Sequence, residues 1–140
     1  EFVCSTEVLG CDTGAYVPAR GPFCSFPHRG QQRLTRSFKV LVNVGNLEAL
    51  AWLPGSFGSV PEMAVEGCPA TDVFVGRNRY GLGKVVKEHR SFFVVDDGEE
   101  VWYKWYQVLA VKKGPSDITI SGVSYNLSGA AERGEDVTLT

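Results

Sequence analysis

Apolar residues in this chain fall on every second position in short runs, far more often than on every third or fourth. In SFKVLV (Ser37–Val42) one face carries Phe38, Val40 and Val42, while Lys39 and Leu41 take the other. WYQVLA (Trp105–Ala110) repeats this with Tyr106, Val108 and Ala110 against Gln107 and Leu109. A period of two marks a strand with one buried face. Turn signals separate the runs: Pro54-Gly55, Gly58–Pro61, Gly81–Gly83, Asp96–Gly98 and Gly114-Pro115. Only Leu47–Leu53 would pass for a helix, and Pro54 would cut it short.

The pattern also repeats. GPFCSFPHRGQQRLTRSFKVLV (Gly21–Val42) aligns without a gap on HRSFFVVDDGEEVWYKWYQVLA (His89–Ala110). Gly30 falls on Gly98, Phe38 on Tyr106, Val40 on Val108 and Leu41 on Leu109. EFVC (Glu1–Cys4) matches VFVG (Val73–Gly76), provided the first copy holds four extra residues around Cys11. The second copy has a long lead-in, GNLEALAWLPGSFGSVPEMAVEGCPAT, which the first copy lacks. Neither copy could bury its apolar face alone, so each is expected to cover the other. The expected fold is all-β: two pseudo-symmetric antiparallel repeats forming a sandwich or barrel over residues 1–112. After Gly114-Pro115 the chain turns polar, with one strand-like alternation through Ile118, Ile120, Val123 and Tyr125. Residues 113–140 read as a linker and a strand leading out to another domain.

Composition narrows the function classes. The 140 residues are 44% apolar and 21% charged with a net charge of −2, ordinary globular values that give no basic footprint for nucleic acid. No apolar run approaches the roughly 20 residues a membrane-spanning helix needs. Cys4, Cys11, Cys24 and Cys68 form no CxxC pair, and only His28 and His89 could join them, so no metal site or cofactor is expected. Four cysteines in a strand-rich chain instead suggest two disulfides and an oxidising compartment, with three pairings open. Asn126-Leu127-Ser128 is a glycosylation acceptor pattern.

GRNRYGLGK (Gly76–Lys84) invites a phosphate-loop reading that its spacing refuses. Leu82 and Gly83 separate Gly81 from Lys84, and Val85 stands where a magnesium-binding hydroxyl would be. The residues that follow, VVKEHRSFFVV, are strand-like and cannot offer a helix N-terminus to an anion. A strand-connecting turn is the better reading. Asp96, Asp97, Glu99 and Glu100 lack the spacing of a calcium loop and read as a solvated hairpin tip. In the strand through Trp102–Tyr106, Trp102 should share the buried face of Tyr106, leaving Tyr103 and Trp105 to stack on a ligand. Catalytic chemistry finds little footing. Glu88 is adjacent to His89 and so points away from it on a strand, and no GxSxG elbow is present.

Several spaced blocks, GSFGSVPEMAV, DVFVGRNRYGLGKV, SFFVVDDGEEVWYKWYQVL and GAYVPARGPFCSFP…SFKVLVN, closely resemble the natterins, fish proteins of the aerolysin superfamily. Their N-terminal lectin-like module is built of two tandem DM-nine repeats, and the resemblance covers about residues 1–112. It implies a secreted toxin or defence protein whose lectin-like module recognises a cell-surface glycan, mannose-type in related lectins. The pore-forming module would then engage the membrane and self-assemble, and it would begin after Gly114. In the family the sugar is held by a lysine of the GK step, here Lys84, and by an aspartate of the lead-in. That aspartate has no clear match, and Glu66 is only a neighbour of the place. The first copy reads Gly14-Ala15 at the GK step, so it lacks the lysine. Arg77 and Tyr103 are further candidate carbohydrate contacts. The plain alternative for Lys84 is a solvated side chain beside a glycine turn. Two other functions remain in play: a kininogenase-type protease, as attributed to natterins, and a cap that masks the pore-forming part without binding a ligand.

Overall fold

A computed structural model describes residues 1–43, 49–112 and 123–127, the last as backbone. These residues form β1 (Phe2–Thr6), β2 (Asp12–Tyr16), β3 (Cys24–His28), β4 (Gln31–Thr35), β5 (Lys39–Asn43), β6 (Leu50–Ser56), β7 (Val73–Asn78), β8 (Gly81–Val86), β9 (Ser91–Asp96), β10 (Glu99–Tyr103), β11 (Trp105–Val111) and β12 (Val123–Leu127). No α-helix occurs among them; the helical exceptions are two short 3₁₀ turns, Pro18–Arg20 and Lys87–His89. The strands run antiparallel in one sheet ordered β12-β5-β1-β2-β3-β4-β10-β9-β8-β7-β11-β6.

The repeat seen in the sequence becomes a pseudo-twofold in the pairing. Ala15 lies opposite Ser25 in β2–β3, as Lys84 lies opposite Phe93 in β8–β9. Cys4 lies opposite Val40, as Gly76 lies opposite Val108. The two halves meet at β4 and β10 through a reciprocal pair of backbone bonds between equivalent residues. Gln32 N–H donates to the Gly98 carbonyl (2.9 Å), and Glu100 N–H donates to the Gly30 carbonyl (3.0 Å). Both tight turns need a residue of positive φ beside this joint, and Gly30 (82°) and Gly98 (79°) supply it.

The sheet curls so that β2 of one half packs on β8 of the other, with Thr13 Oγ1 donating to the Gly83 carbonyl at 2.6 Å. Val3 and Leu41 from the first half join Val75, Leu82, Leu109 and Val111 from the second in a shared core. Each half also has its own cluster. One holds Cys4, Tyr16, Cys24, Phe26, Phe38 and Val40; the other holds Phe74, Val85, Phe92, Val94, Tyr106 and Val108. Phe38 and Tyr106 are both buried, in equivalent places. The alternating pairs Phe38 and Val40, and Tyr106 and Val108, thus reach the core of their own half, while Leu41 and Leu109 reach the core between halves.

The disulfides are Cys4–Cys24 and Cys11–Cys68. The first occupies the place taken in the second half by Gly76 and Phe92, where a Cβ on Gly76 would sit 2.9 Å from the Phe92 ring. A covalent bridge in one half therefore does the space-filling that an aromatic ring over a glycine does in the other. The second disulfide ties the four-residue insertion of the first half to the lead-in of the second.

Two local expectations change. Leu50–Ser56 is a strand rather than the end of a helix, and it runs through Pro54-Gly55; residues 44–48 lie outside the described residues. It is the last strand of the sheet, and an edge strand tolerates proline because one side of its ladder is open. Trp102 is exposed (59%) although Tyr106 is buried. The chain breaks at Lys104, β10 pairs with β9, and β11 pairs with β6 and β7, so the alternation does not carry across. The strand at Val123–Leu127 lies along β5, with Asn126 opposite Val40. It takes at one edge the position β6 takes at the other.

Phe38→Ala should cost about 3–5 kcal/mol, the usual loss for a fully buried ring, read as a drop in the urea midpoint; a loss under about 1 kcal/mol would contradict the shared packing. Replacing Cys11 and Cys68 by serine should cost about 4 kcal/mol for a closed loop of this length. An unchanged melting temperature in that variant would show that the bridge does not hold the halves together.

Candidate functional site

Lys84 is the fourth residue of β8, and the alternation of that strand turns it inward rather than to solvent; it is only 8% exposed. A buried ammonium is costly unless paired. Its partner comes from the other half: Nζ donates to Oδ1 of Asp12, the first residue of β2, itself 1% exposed. His28, the last residue of β3, brings Nδ1 to 3.2 Å from Asp12 Oδ2, within ion-pair reach but off-angle for a hydrogen bond, and Oδ2 has no hydrogen-bond partner. Glu100 Oε2 stands 3.9 Å from Lys84 Nζ, an electrostatic contact rather than a hydrogen bond. Its other oxygen accepts from the Gly30 N–H at 2.9 Å, which fixes the carboxylate at the joint between the halves.

Two glycines make the close approach possible. A Cβ on Gly83 would fall 1.9 Å from the Phe93 carbonyl oxygen, and one on Gly14 equally close to that of Ser25. Residue 84, and its equivalent Ala15, is therefore presented on a strand whose preceding position admits no side chain.

Lys84, Glu100, His28, Arg29, His89 and Phe93 border a cavity of about 400 Å³. Lys84 Nζ lies 5.8 Å from the centre of the Phe93 ring, and His89 meets the same ring edge-on at 6.1 Å. The cavity thus offers an ammonium, a guanidinium, a carboxylate, two imidazoles and one apolar ring face. Such a set suits a ligand that both donates and accepts hydrogen bonds and has an apolar edge.

The remaining candidates fall elsewhere. Arg77 donates from Nε to Gln107 (2.9 Å) and lies 4.4 Å over the Trp52 ring, where burial lowers the pKa of its guanidinium. Tyr103 stacks on Tyr80 with ring centres 5.5 Å apart, and burial followed by the neighbouring Tyr80 hydroxyl raises the pKa of its phenol. Glu66 pairs in the lead-in opposite Phe74 and does not line the Lys84 cavity. The solvated reading of Lys84 is corrected by its burial against Asp12. Gly76–Lys84 is a hairpin: β7 and β8 pair from Asn78 opposite Gly81, and the Asn78 side chain accepts the Tyr80 N–H across the turn.

Sequence reasoning passed over Asp12, Glu100 and Phe93. The one signal for them was the alignment itself, which puts Asp12-Thr13-Gly14 on Gly81-Leu82-Gly83 and Glu100 on Gln32. His28 and His89 do meet at one cavity, but the hydroxyl nearest them in sequence is committed elsewhere. Ser91 Oγ donates to the His89 carbonyl at 3.1 Å and lies 2.7 Å from Lys104 Nζ, and all four cysteines are in disulfides.

The DM9 repeat profile matches residues 2–103. Three curated relatives come from Thalassophryne nattereri. Natterin-3 is 41% identical over 130 residues, covering 93% of this chain and 34% of its own length. Natterin-4 is 37% identical over 129 residues, covering 92% and 32%. Natterin-1 is 34% identical over 129 residues, covering 92% and 35%. The chain spans about a third of the length of these relatives.

Asp12→Ala should destabilise the fold by about 3–5 kcal/mol, because it leaves the Lys84 ammonium buried without its partner. Adding Lys84→Met should return a large part of that loss. Chemical denaturation of the two variants measures both; a double variant no more stable than Asp12→Ala alone would show that the pair is not coupled.

Proposed function

The chain belongs to the DM9 repeat family, and from that premise we propose that it is the glycan-recognising module of a secreted natterin-like protein. The observation that carries this reading is the Lys84 ammonium facing the Glu100 carboxylate at 3.9 Å on the wall of an open cavity that also holds the Phe93 ring. A sugar hydroxyl between the two charges accepts from Nζ and donates to Oε2, which uses both halves of its hydrogen-bonding capacity. Phe93 offers an apolar ring face on which a pyranose can stack. Asp12 acts from beneath: it balances the ammonium and aims it, so the lysine does not lose rotamer freedom when ligand arrives. Binding would be neutral-sugar binding, with mannose-type glycan the first class to try. Only one such site exists in this reading, because Ala15 replaces the lysine in the first half.

Secretion fits the two disulfides, which persist in oxidising compartments. The longer protein would use this module to bring a pore-forming part to a glycan-bearing membrane. A second reading has one observation in its favour: Lys84 is nearly buried and already paired, as in a purely structural link. In that reading the module caps its neighbour and binds no sugar.

Titrating the protein with mannose oligosaccharides and, separately, with ATP tests the proposal. Glu100→Gln should weaken sugar binding by about 1.5–3 kcal/mol, the value of one hydrogen bond to a charged group, with little effect on folding. Lack of sugar binding by the unmodified protein would favour the cap, and ATP binding that depends on Lys84 would overturn the neutral-sugar reading.

A further inference from the structure

The pseudo-twofold generates a second cavity that no longer resembles the first. At the positions equivalent to Lys84, Phe93 and Glu100 stand Ala15, Ser25 and Gln32, and all three line a cavity of about 260 Å³. It shares Tyr80, Gly81 and Leu82 with a neighbouring cavity of about 440 Å³ that Arg77, Asn78, Arg79 and Gln107 complete. The buried ammonium is gone from this side, and arginines stand around its rim instead: Arg20 at the first cavity, Arg77 and Arg79 at the second.

We propose that this joined cavity binds an acidic saccharide, with its carboxylate or sulfate between Arg77 and Arg79 and its hydroxylated ring along the exposed edge of Tyr80. Three observations support it. No carboxylate among the described residues forms an ion pair with Arg20, Arg77 or Arg79, although Glu1 lines both cavities and Asp96 is near Tyr103. Unpaired guanidiniums beside a cavity are suited to a planar anion, which they grip with two parallel bonds. Next, both arginines are held in place before any ligand arrives. Arg77 is fixed by Gln107 and by the Trp52 face. Arg79 donates to the Tyr80 hydroxyl at 2.9 Å and lies 4.9 Å over that ring. Finally, Tyr80 is exposed and packed by the parallel ring of Tyr103 and by the Arg79 guanidinium, so it offers a fixed ring edge beside the cavity. Asn78, Ser25 and Gln32 supply neutral partners for hydroxyls. With a net charge of −2 the chain as a whole does not attract polyanions, so the preference would come from this cavity and not from a general field.

The proposal does not rest on sugar binding at Lys84. Calorimetric titration with 3′-sialyllactose, a sulfated galactose disaccharide, lactose and mannobiose separates the two sites. The expected result is binding of an acidic saccharide, weakened about tenfold in Arg79→Gln, the size of one lost charge-assisted bond, and weakened again as salt rises from about 50 to about 200 mM. Mannobiose binding, if any, should be unchanged in that variant. A preference for sialyllactose assigns the anion as carboxylate, and one for the sulfated disaccharide as sulfate. Arg79 is exposed, so its variant should fold normally; Arg77→Gln is the second variant, accepted only if its melting curve matches the wild type. Absence of acidic-saccharide binding, binding equal to that of lactose, or binding unaltered in Arg79→Gln would overturn the proposal.

Discussion

The buried pair of Asp12 and Lys84 is the constraint around which the two halves are arranged. It crosses the pseudo-twofold and joins residues 72 positions apart in sequence. Moving two charges out of water is unfavourable by several kcal/mol for each ion unless geometry compensates. Such a pair specifies an arrangement more than it stabilises one, since any sliding of β2 against β8 would leave both charges unpaired. Thr13, next to Asp12, bonds to Gly83, next to Lys84, and repeats the same alignment in neutral form. The glycines at 14 and 83 then make the spacing attainable, because no side chain fits where the neighbouring carbonyl lies.

Duplication supplies the frame, and divergence supplies the chemistry. Residues that meet the core have changed in kind but kept their volume roles: Phe38 for Tyr106, and a disulfide for a ring over a glycine. Residues that meet the two cavities have not. Lys84 opposes Ala15 and Glu100 opposes Gln32, so one side keeps a buried charge pair while the other is left for arginines at its rim. A core tolerates substitution that conserves volume, whereas a cavity wall is under no such constraint. That difference lets the two cavity walls diverge without altering how the copies pack.

Much of the frame was legible in the sequence. Alternation at Phe38, Val40 and Val42, and the ungapped match of Gly30 to Gly98, carried the strands, the repeat and the mutual burial. The hairpin at Gly76–Lys84 followed from failed loop spacing. What escaped was whatever depends on two segments far apart in sequence meeting in space. Asp12 drew no reading at all, and Glu100 read as part of a solvated tip, because neither has a local partner. Their roles come from the curl of the sheet. Trp102 escaped for a different reason: alternation is a property of one continuous strand, and Lys104 interrupts it. Pro54 misled because a breaker in mid-sheet is harmless at an edge.

The two edges of the sheet suggest how this frame is completed. β6, from the lead-in of the second copy, covers β11; β12, which follows that copy, covers the equivalent strand β5. The first copy has no lead-in of its own within the sequence, so the position equivalent to β6 is filled from the far end of the chain. An uncovered β5 would present unpaired N–H and C=O groups, the usual template for unwanted association. Val123–Leu127 satisfies those groups by pairing along Lys39–Asn43, so a segment that follows the second copy closes the edge of the first.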